Sequence, residues 1–133
     1  MIEQPRRLVL LIEDHQATRD ILRRHLTRCG WEVLEAATMA EGLAQLDPPP
    51  DCIILDLDLP DGPGEALLRK VRLEQIPTRV IVNTGTDDRA RLRTVSFMRP
   101  DAVLEKPLDA EGLRRICEDV PPPPRYDCMH VAR

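Results

Sequence analysis

Two short, uninterrupted apolar runs constrain the fold of this chain more than any other feature. They are residues 8–12 (LVLLI) and residues 52–55 (CIIL). Each run is too short for a helix and lacks the alternation of a strand with one solvent-exposed face. Runs of this kind are typical of strands covered on both faces, which occur in parallel sheets flanked by helices.

The segments around these runs alternate between helical and extended patterns. Apolar residues spaced three to five apart over 16–29, followed by Gly30, predict an amphipathic helix with a glycine stop. Further strands are predicted at 31–36, 80–82 and 102–104, and further helices at 38–46, 64–75, 87–96 and 109–119. Because parallel neighbours require crossover connections, this alternation predicts an α/β fold, a doubly wound parallel sheet in a three-layer sandwich.

The length of 133 residues fits one domain. We expect the folded domain to cover residues 1–120. The four consecutive prolines at 121–124 cannot continue a helix. Residues 121–133 are therefore predicted to be a proline-rich spacer and a short flexible tail.

Composition excludes several classes of function. Apolar residues make up 42% of the chain and charged residues 32%, which is typical of a globular domain. The net charge of −4 removes the attraction on which sequence-independent nucleic-acid binding relies, so we expect no direct nucleic-acid partner. No apolar run approaches the ~20 residues that cross a bilayer, and the N-terminus lacks the cationic and apolar pattern of an export signal. We therefore expect no membrane contact and a cytoplasmic location.

The four cysteines form no Cys-x-x-Cys pair. Together with the expected compartment, their spacing predicts reduced and mostly buried thiols. They are Cys29, Cys52, Cys117 and Cys128.

Charged and hydroxyl side chains follow four of the predicted strands. Ligands of open α/β sheets bind outside the carboxyl ends of the strands, so we expect these side chains to converge at one edge. Lys106 is one of only two lysines among nineteen basic residues. The set is Glu13 and Asp14 after the first strand, Asp56 after the third, Thr84 after the fourth and Lys106 after the fifth.

Three converging carboxylates repel one another unless a cation lies between them. Oxygen ligands favour a hard divalent ion, so Mg²⁺ is expected here, with Mn²⁺ as the second choice. A metal-bound carboxylate beside a hydroxyl and an ammonium group is suited to accepting a phosphoryl group. Asp56 is the best-placed nucleophile of the set.

Four motifs together resemble the receiver domain of two-component response regulators. They are LVLLIED at 8–14, DCIILDLDLP at 51–60 with Gly64, VIVNTG at 80–85 and EKP at 105–107. The resemblance extends over about residues 6–119. It implies a flavodoxin-like (βα)5 fold with strand order 2-1-3-4-5. It also implies that Asp56 takes a phosphoryl group from a sensor histidine kinase or a histidine phosphotransfer protein.

The resemblance assigns roles to the individual residues. Glu13, Asp14 and Asp56 would bind the metal together with the backbone carbonyl of Asp58, while Thr84 and Lys106 would contact the phosphoryl oxygens. Such a domain is not an enzyme in the ordinary sense, because it assists only its own phosphorylation and dephosphorylation. Its switching surface would be the face of the fourth helix, fifth strand and fifth helix, open to a downstream target protein or to a second copy in a homodimer.

One residue departs from the receiver pattern, and two other functions remain open. Val103 occupies a position that is aromatic in most receivers, so either another element reports phosphorylation or the output is weak. One alternative is a phosphorylation-silent, receiver-like interaction module. The other is a haloacid-dehalogenase-type phosphohydrolase, whose Asp-x-Asp motif resembles Asp56 and Asp58. That alternative leaves Glu13 and Asp14 without a role and requires a longer chain.

Overall fold

The computed structural model describes residues 7–116. The expected end of the last helix, the tail at 121–133 and the domain boundary at 120 lie outside this range. The elements are β1 (Arg7–Ile12), α1 (Gln16–Arg28), β2 (Trp31–Ala36), α2 (Met39–Leu43), β3 (Cys52–Leu55), β4 (Asp58–Leu59), β5 (Gly62–Pro63), α3 (Glu65–Leu73), β6 (Arg79–Thr84), α4 (Arg89–Phe97), β7 (Ala102–Glu105) and α5 (Ala110–Arg114).

Five parallel strands form the main sheet in the order β2-β1-β3-β6-β7. Counted over the sheet strands alone, this is the predicted order 2-1-3-4-5, so the predicted doubly wound topology is confirmed. The remaining two strands, β4 and β5, form a small antiparallel hairpin directly after β3. The sequence predicted only a loop there, because aspartate, proline and glycine dominate the segment.

Helices cover both faces of the sheet, and each face has its own apolar core. On one face, α1 and α5 pack their buried side chains against Leu11 and Ile54. On the other face, α3 and α4 pack against Ile53 and Leu55, with α2 at the margin. Every residue of β3 is buried, which is the burial that its uninterrupted apolar run predicts.

Side-chain caps begin several of the helices. The His15 side chain accepts the N–H of Thr18 at the start of α1, and Thr38 accepts that of Glu41 at the start of α2. The Glu41 side chain accepts the N–H of Ala37 rather than that of the N-cap residue Thr38, so the second bond of the predicted capping box is shifted by one residue. However, α2 ends at Leu43, short of the predicted residue 46.

Two other helix boundaries differ from the prediction for local reasons. The helix α3 ends at Leu73, short of the predicted residue 75, and Gln75 adopts a left-handed conformation with φ of 53°. The helix α4 begins at Arg89, since Asp88 acts as its N-cap by accepting the N–H groups of Ala90 and Arg91.

The two described cysteines differ in burial. Cys52 is buried in β3 as predicted, but Cys29 is exposed. Cys29 is the C-cap of α1, where the helix ends, so its side chain leaves the apolar face that continues through Leu22 and Leu26. The other two cysteines lie outside the described residues. No helix within residues 7–116 has the length and hydropathy of a membrane span.

Candidate functional site

Three carboxylates meet at the carboxyl edge of the central strands. Ile12 and Leu55, the last residues of β1 and β3, are register partners, so Glu13 and Asp56 leave the sheet side by side. Oxygen atoms of Glu13, Asp14 and Asp56 all lie within 4.8 Å of one another. The convergence predicted from the strand ends is therefore present.

Lys106 reaches this cluster from the edge strand β7. Its Nζ lies 2.8 Å from Oε1 of Glu13 and 3.0 Å from Oδ2 of Asp56. The main chain of Lys106 is fixed by its N–H, which donates to the carbonyl of Thr84 at 2.8 Å. The peptide bond to Pro107 is cis.

Burial and charge shift the protonation equilibria at this cluster. Glu13 and Asp56 are only 2% and 4% exposed. Burial raises the pKa of Glu13, and the negative charge of Asp56 raises it further, against the opposing effect of Lys106. Burial alone would lower the pKa of Lys106, but its contacts with Glu13 and Asp56 raise it overall. Lys106 is therefore a cation at neutral pH.

The donor set fits a hard divalent cation. One ammonium cannot neutralise three carboxylates, and Asp14 is exposed without a hydrogen bond or ion pair to residues 7–116. All the converging ligand atoms are oxygens, which Mg²⁺ prefers. His15 lies beside the cluster in sequence but is not part of it, because its Nδ1 is 2.8 Å from the Thr18 hydroxyl.

Thr84 is the last residue of β6, the strand between β3 and β7, and is 2% exposed. Its hydroxyl accepts the N–H of Thr86 at 3.1 Å. Beside it lies a cleft of about 320 Å³, lined in part by Leu92 and Val103. Val103 is 41% exposed and does not fill this cleft, so the position that is aromatic in most receivers leaves open space next to Thr84.

The loop after β3 turns tightly around the main chain of Asp56. Asp58 donates its N–H to Oδ1 of Asp56 at 3.1 Å, and Gly64 donates its N–H to the carbonyl of Leu57 at 2.8 Å. A Cβ at position 64 would lie 2.3 Å from the carbonyl oxygen of Asp56. Only glycine permits this approach, which explains the Gly64 of the motif.

Two arginines near the site were missed by the sequence analysis. Arg19 of α1 donates from Nη1 to the carbonyl of Glu13 at 2.8 Å. Arg91 of α4 donates to Asp58, Leu57 and Glu65. Seventeen of the nineteen basic residues are arginine, so neither residue stands out in the sequence.

Comparison with known proteins agrees with this fold and shows the family. The family model of the response regulator receiver domain matches residues 9–118 of this chain. The chain therefore belongs to this family. Receiver domains bind Mg²⁺ at an acidic pocket, are phosphorylated by histidine kinases and act on downstream targets. They are generally phosphoacceptors rather than classical enzymes.

Two of the similar curated proteins are transcriptional regulators. The KDP operon transcriptional regulatory protein KdpE of Escherichia coli (strain K12) is 35% identical over 100 residues, which cover 74% of this chain and 44% of that protein. The transcriptional regulatory protein TrcR of Mycobacterium tuberculosis (strain ATCC 25618 / H37Rv) is 32% identical over 106 residues, which cover 79% of this chain and 41% of that protein. The chain thus spans less than half the length of these relatives.

Solved structures of receiver domains superpose closely. The CheY-like response regulator receiver domain protein from Methanospirillum hungatei JF-1 has a TM-score of 0.80 at 27% identity, over 86% of this chain and 93% of that one. The response regulator receiver domain protein from Clostridium thermocellum has a TM-score of 0.77 at 25% identity, over 85% of this chain and 92% of that one.

Proposed function

We propose that this chain accepts a phosphoryl group on Asp56, in a Mg²⁺-dependent reaction, from the phosphohistidine of a sensor histidine kinase or a histidine phosphotransfer protein. The observation that carries the proposal is the position of Lys106, whose ammonium lies between the buried carboxylates of Glu13 and Asp56. A cation in contact with a buried carboxylate is suited to the charge that develops when that carboxylate attacks phosphorus.

In the proposed reaction, a carboxylate oxygen of Asp56 forms a bond to phosphorus while the bond from phosphorus to the donor imidazole nitrogen breaks. The electron pair of the broken bond returns to the imidazole. Glu13, Asp14, Asp56 and the backbone carbonyl of Asp58 would hold Mg²⁺, or Mn²⁺ as the second choice. When bound, that ion would supply positive charge for the phosphoryl oxygens.

Lys106 and Thr84 would bind the transferred group. The lysine ammonium is a compact point charge on a flexible stem, so it can follow the oxygens from carboxylate to phosphoryl group. The Thr84 hydroxyl ends the strand beside β3 and can rotate to donate to a phosphoryl oxygen.

The proposed output is a change in the face formed by α4, β7 and α5. Phosphorylated Asp56 would carry about −1.5 to −2 charge units in place of the single negative charge of its carboxylate, and the new phosphoryl oxygens would draw the Thr84 hydroxyl inward. A downstream protein target, or a second copy of the chain in a homodimer, would bind this face. We do not propose direct contact with nucleic acid or with a membrane. The division into a receiver domain at 1–120 and a spacer with a tail at 121–133 remains a prediction.

The decisive experiment is intact mass spectrometry after incubation with acetyl phosphate and Mg²⁺. We expect wild type to gain one phosphoryl group and Asp56→Asn to gain none. Asp58→Asn serves as the matched control, because the neighbouring side chain is not the proposed acceptor, and it should keep the adduct.

Other results of the same experiment point to other functions. An adduct that persists in Asp56→Asn contradicts the assignment of Asp56. No adduct in wild type favours the phosphorylation-silent interaction module, in agreement with the small side chain at Val103. In a separate assay, turnover of free phosphomonoesters would favour the phosphohydrolase.

A further inference from the structure

Arg91 of α4 connects three segments around the proposed phosphoacceptor. Its Nε and Nη2 donate to the two carboxylate oxygens of Glu65 at 2.7 and 3.0 Å. Its Nη1 donates to Oδ1 of Asp58 at 2.7 Å, and Nη2 also donates to the carbonyl of Leu57 at 2.9 Å. One guanidinium group therefore ties α4 to the start of α3 and to the loop after β3.

The part of the loop that Arg91 holds is in direct contact with Asp56. Leu57 and Asp58 are the two residues that follow Asp56, and the N–H of Asp58 donates to Oδ1 of Asp56 at 3.1 Å. The carbonyl of Leu57 also accepts the N–H of Gly64, so two donors fix its orientation. Arg91 thus acts one hydrogen bond away from the carboxylate that would attack phosphorus.

We propose that Arg91 is a positioning residue for phosphoryl transfer at Asp56. This inference rests on the proposed function. Arg91 holds the main chain of Asp58 against Asp56 and fixes the Asp58 carboxylate on the side of α4. That carboxylate is 64% exposed, so without Arg91 it is free to turn toward the incoming phosphoryl group, which its charge would repel.

The geometry requires an arginine rather than any cation. The planar guanidinium group of Arg91 binds the carboxylate of Glu65 and also the loop, through the carbonyl of Leu57 and the carboxylate of Asp58. A lysine ammonium is a single point charge and cannot reproduce this arrangement. A lysine at position 91 would keep the charge and lose the fixed arrangement. Charge and positioning can therefore be separated by substitution.

The test compares Arg91→Ala and Arg91→Lys with wild type and with Arg93→Ala. Arg93 lies on the same helix and is exposed, and its side chain makes no hydrogen bond or ion pair to residues 7–116, so its loss is the matched control. The readouts are the rate of phosphorylation by acetyl phosphate, from intact mass, and the Mg²⁺ dissociation constant, from calorimetry. We expect both Arg91 variants to be phosphorylated about tenfold more slowly, as is usual when a residue that orients a site is lost. Arg93→Ala should match wild type.

Several results would overturn the inference. A normal rate in Arg91→Lys with a slow rate in Arg91→Ala would mean that charge alone matters. A lowered melting temperature with unchanged phosphorylation kinetics would leave Arg91 a purely structural role. If wild type is phosphorylated and both Arg91 variants match it, this inference fails alone; if wild type gains no phosphoryl group, the proposed function fails first and this inference with it.

A double substitution tests the route through Asp58. If Arg91 acts by fixing the Asp58 carboxylate, Arg91→Ala should slow phosphorylation much less in an Asp58→Asn background than in wild type, because residues that share one interaction are not additive. An equal slowing in both backgrounds contradicts this route.

Discussion

Nζ of Lys106 lies 3.0 Å from Oδ2 of Asp56, so a cation carried by the edge strand β7 neutralises a carboxylate at the end of the central strand β3. The strand β6 lies between them, and the lysine side chain spans its end. The same ammonium contacts Glu13 at the end of β1. Three strands of the sheet are thereby joined through one side chain.

The first prediction concerns this ion pair in the absence of phosphorylation. Without divalent cations, Lys106→Met should lower the free energy of unfolding by about 2 kcal/mol, because two buried carboxylates lose their partner. The expected loss lies below that of a fully buried pair, since the Lys106 side chain is 26% exposed. Urea unfolding measures it.

Magnesium should offset part of that loss, because it supplies the missing positive charge. Adding Mg²⁺ should therefore stabilise Lys106→Met more than wild type. Lys70→Met, which removes an exposed lysine paired with Glu74, is the control and should respond to Mg²⁺ as wild type does. An equal effect of Mg²⁺ on Lys106→Met and wild type would show that the carboxylates near Lys106 do not bind the ion.

The second prediction concerns the close approach at Gly64. In Gly64→Ala the new Cβ would meet the main chain of Asp56 and Leu57 rather than a flexible side chain. The loop must then move, and we expect a loss of about 1–3 kcal/mol in the free energy of unfolding, together with slower phosphorylation. Chemical denaturation and intact mass measure the two effects.

Gly85→Ala is the matched control for stability. Its new Cβ would meet only side-chain atoms of Lys106, at 3.8 Å or more, which is ordinary contact. We expect the free energy of unfolding of Gly85→Ala to lie within about 0.5 kcal/mol of the wild-type value. Equal losses in the two variants would mean that the approach at Gly64 has no special role.

The third prediction is a pH dependence at Glu65. The hydrogen bonds from Arg91 lower the pKa of Glu65 below its ordinary value of 4.5. The folded state therefore favours the ionised form, and the stabilisation is present above pH 4.5 and lost as the pH falls through the folded-state pKa. Glu65→Gln should lower the free energy of unfolding by about 1 kcal/mol at neutral pH, and this difference from wild type should shrink below pH 4.5.

Unfolding by urea at several pH values measures this difference. Glu74→Gln removes an exposed ion pair with Lys70 at the end of the same helix. It should lower the free energy of unfolding at neutral pH by less than Glu65→Gln does. A difference between wild type and Glu65→Gln that stays constant from neutral pH to pH 3 would contradict the prediction.

The fourth prediction separates the two described cysteines by reactivity. Burial raises the pKa of the Cys52 thiol to about 12, whereas Cys29 is exposed. Because the thiolate is the reactive form, iodoacetamide at pH 8 should modify Cys29 in the folded protein and leave Cys52 intact. Peptide mass spectrometry locates the label. In urea Cys52 should become reactive; its modification in the folded state at the rate of Cys29 would contradict the burial of β3.

The positions of Glu13, Asp14, Asp56 and Lys106 were predictable from the sequence because they depend on strand ends alone. Parallel strands must place their carboxyl ends at one edge of the sheet, so residues that follow buried apolar runs meet there without further information. The roles assigned to Thr84 and to the carbonyl of Asp58 are predictions that the phosphorylation experiments would test. The resemblance to receivers also showed that Val103 stands at a position that is aromatic in most of them, and the structure places a cleft beside this residue.

The contacts of Arg91, Arg19 and Gly64 were not predictable in this way. Each depends on how a side chain is placed against another segment or on a close approach of main-chain atoms. Arginine dominates the basic residues of this chain, so residue type gave no signal. The exposure of Cys29 was mispredicted because the spacing of apolar residues continues through it while the helix stops at Arg28.

The sequence by itself determined where the buried strands lie in the chain and which polar residues follow them, because both depend on local periodicity and on the geometry that every parallel sheet shares. The strand order 2-1-3-4-5 and the family came instead from the resemblance of four motifs to receiver domains. Only the tertiary structure decided how α4 meets the loop after Asp56 and which arginine holds that loop, because the partners of a long, flexible side chain depend on how the helices pack against the sheet and not on their sequence neighbours.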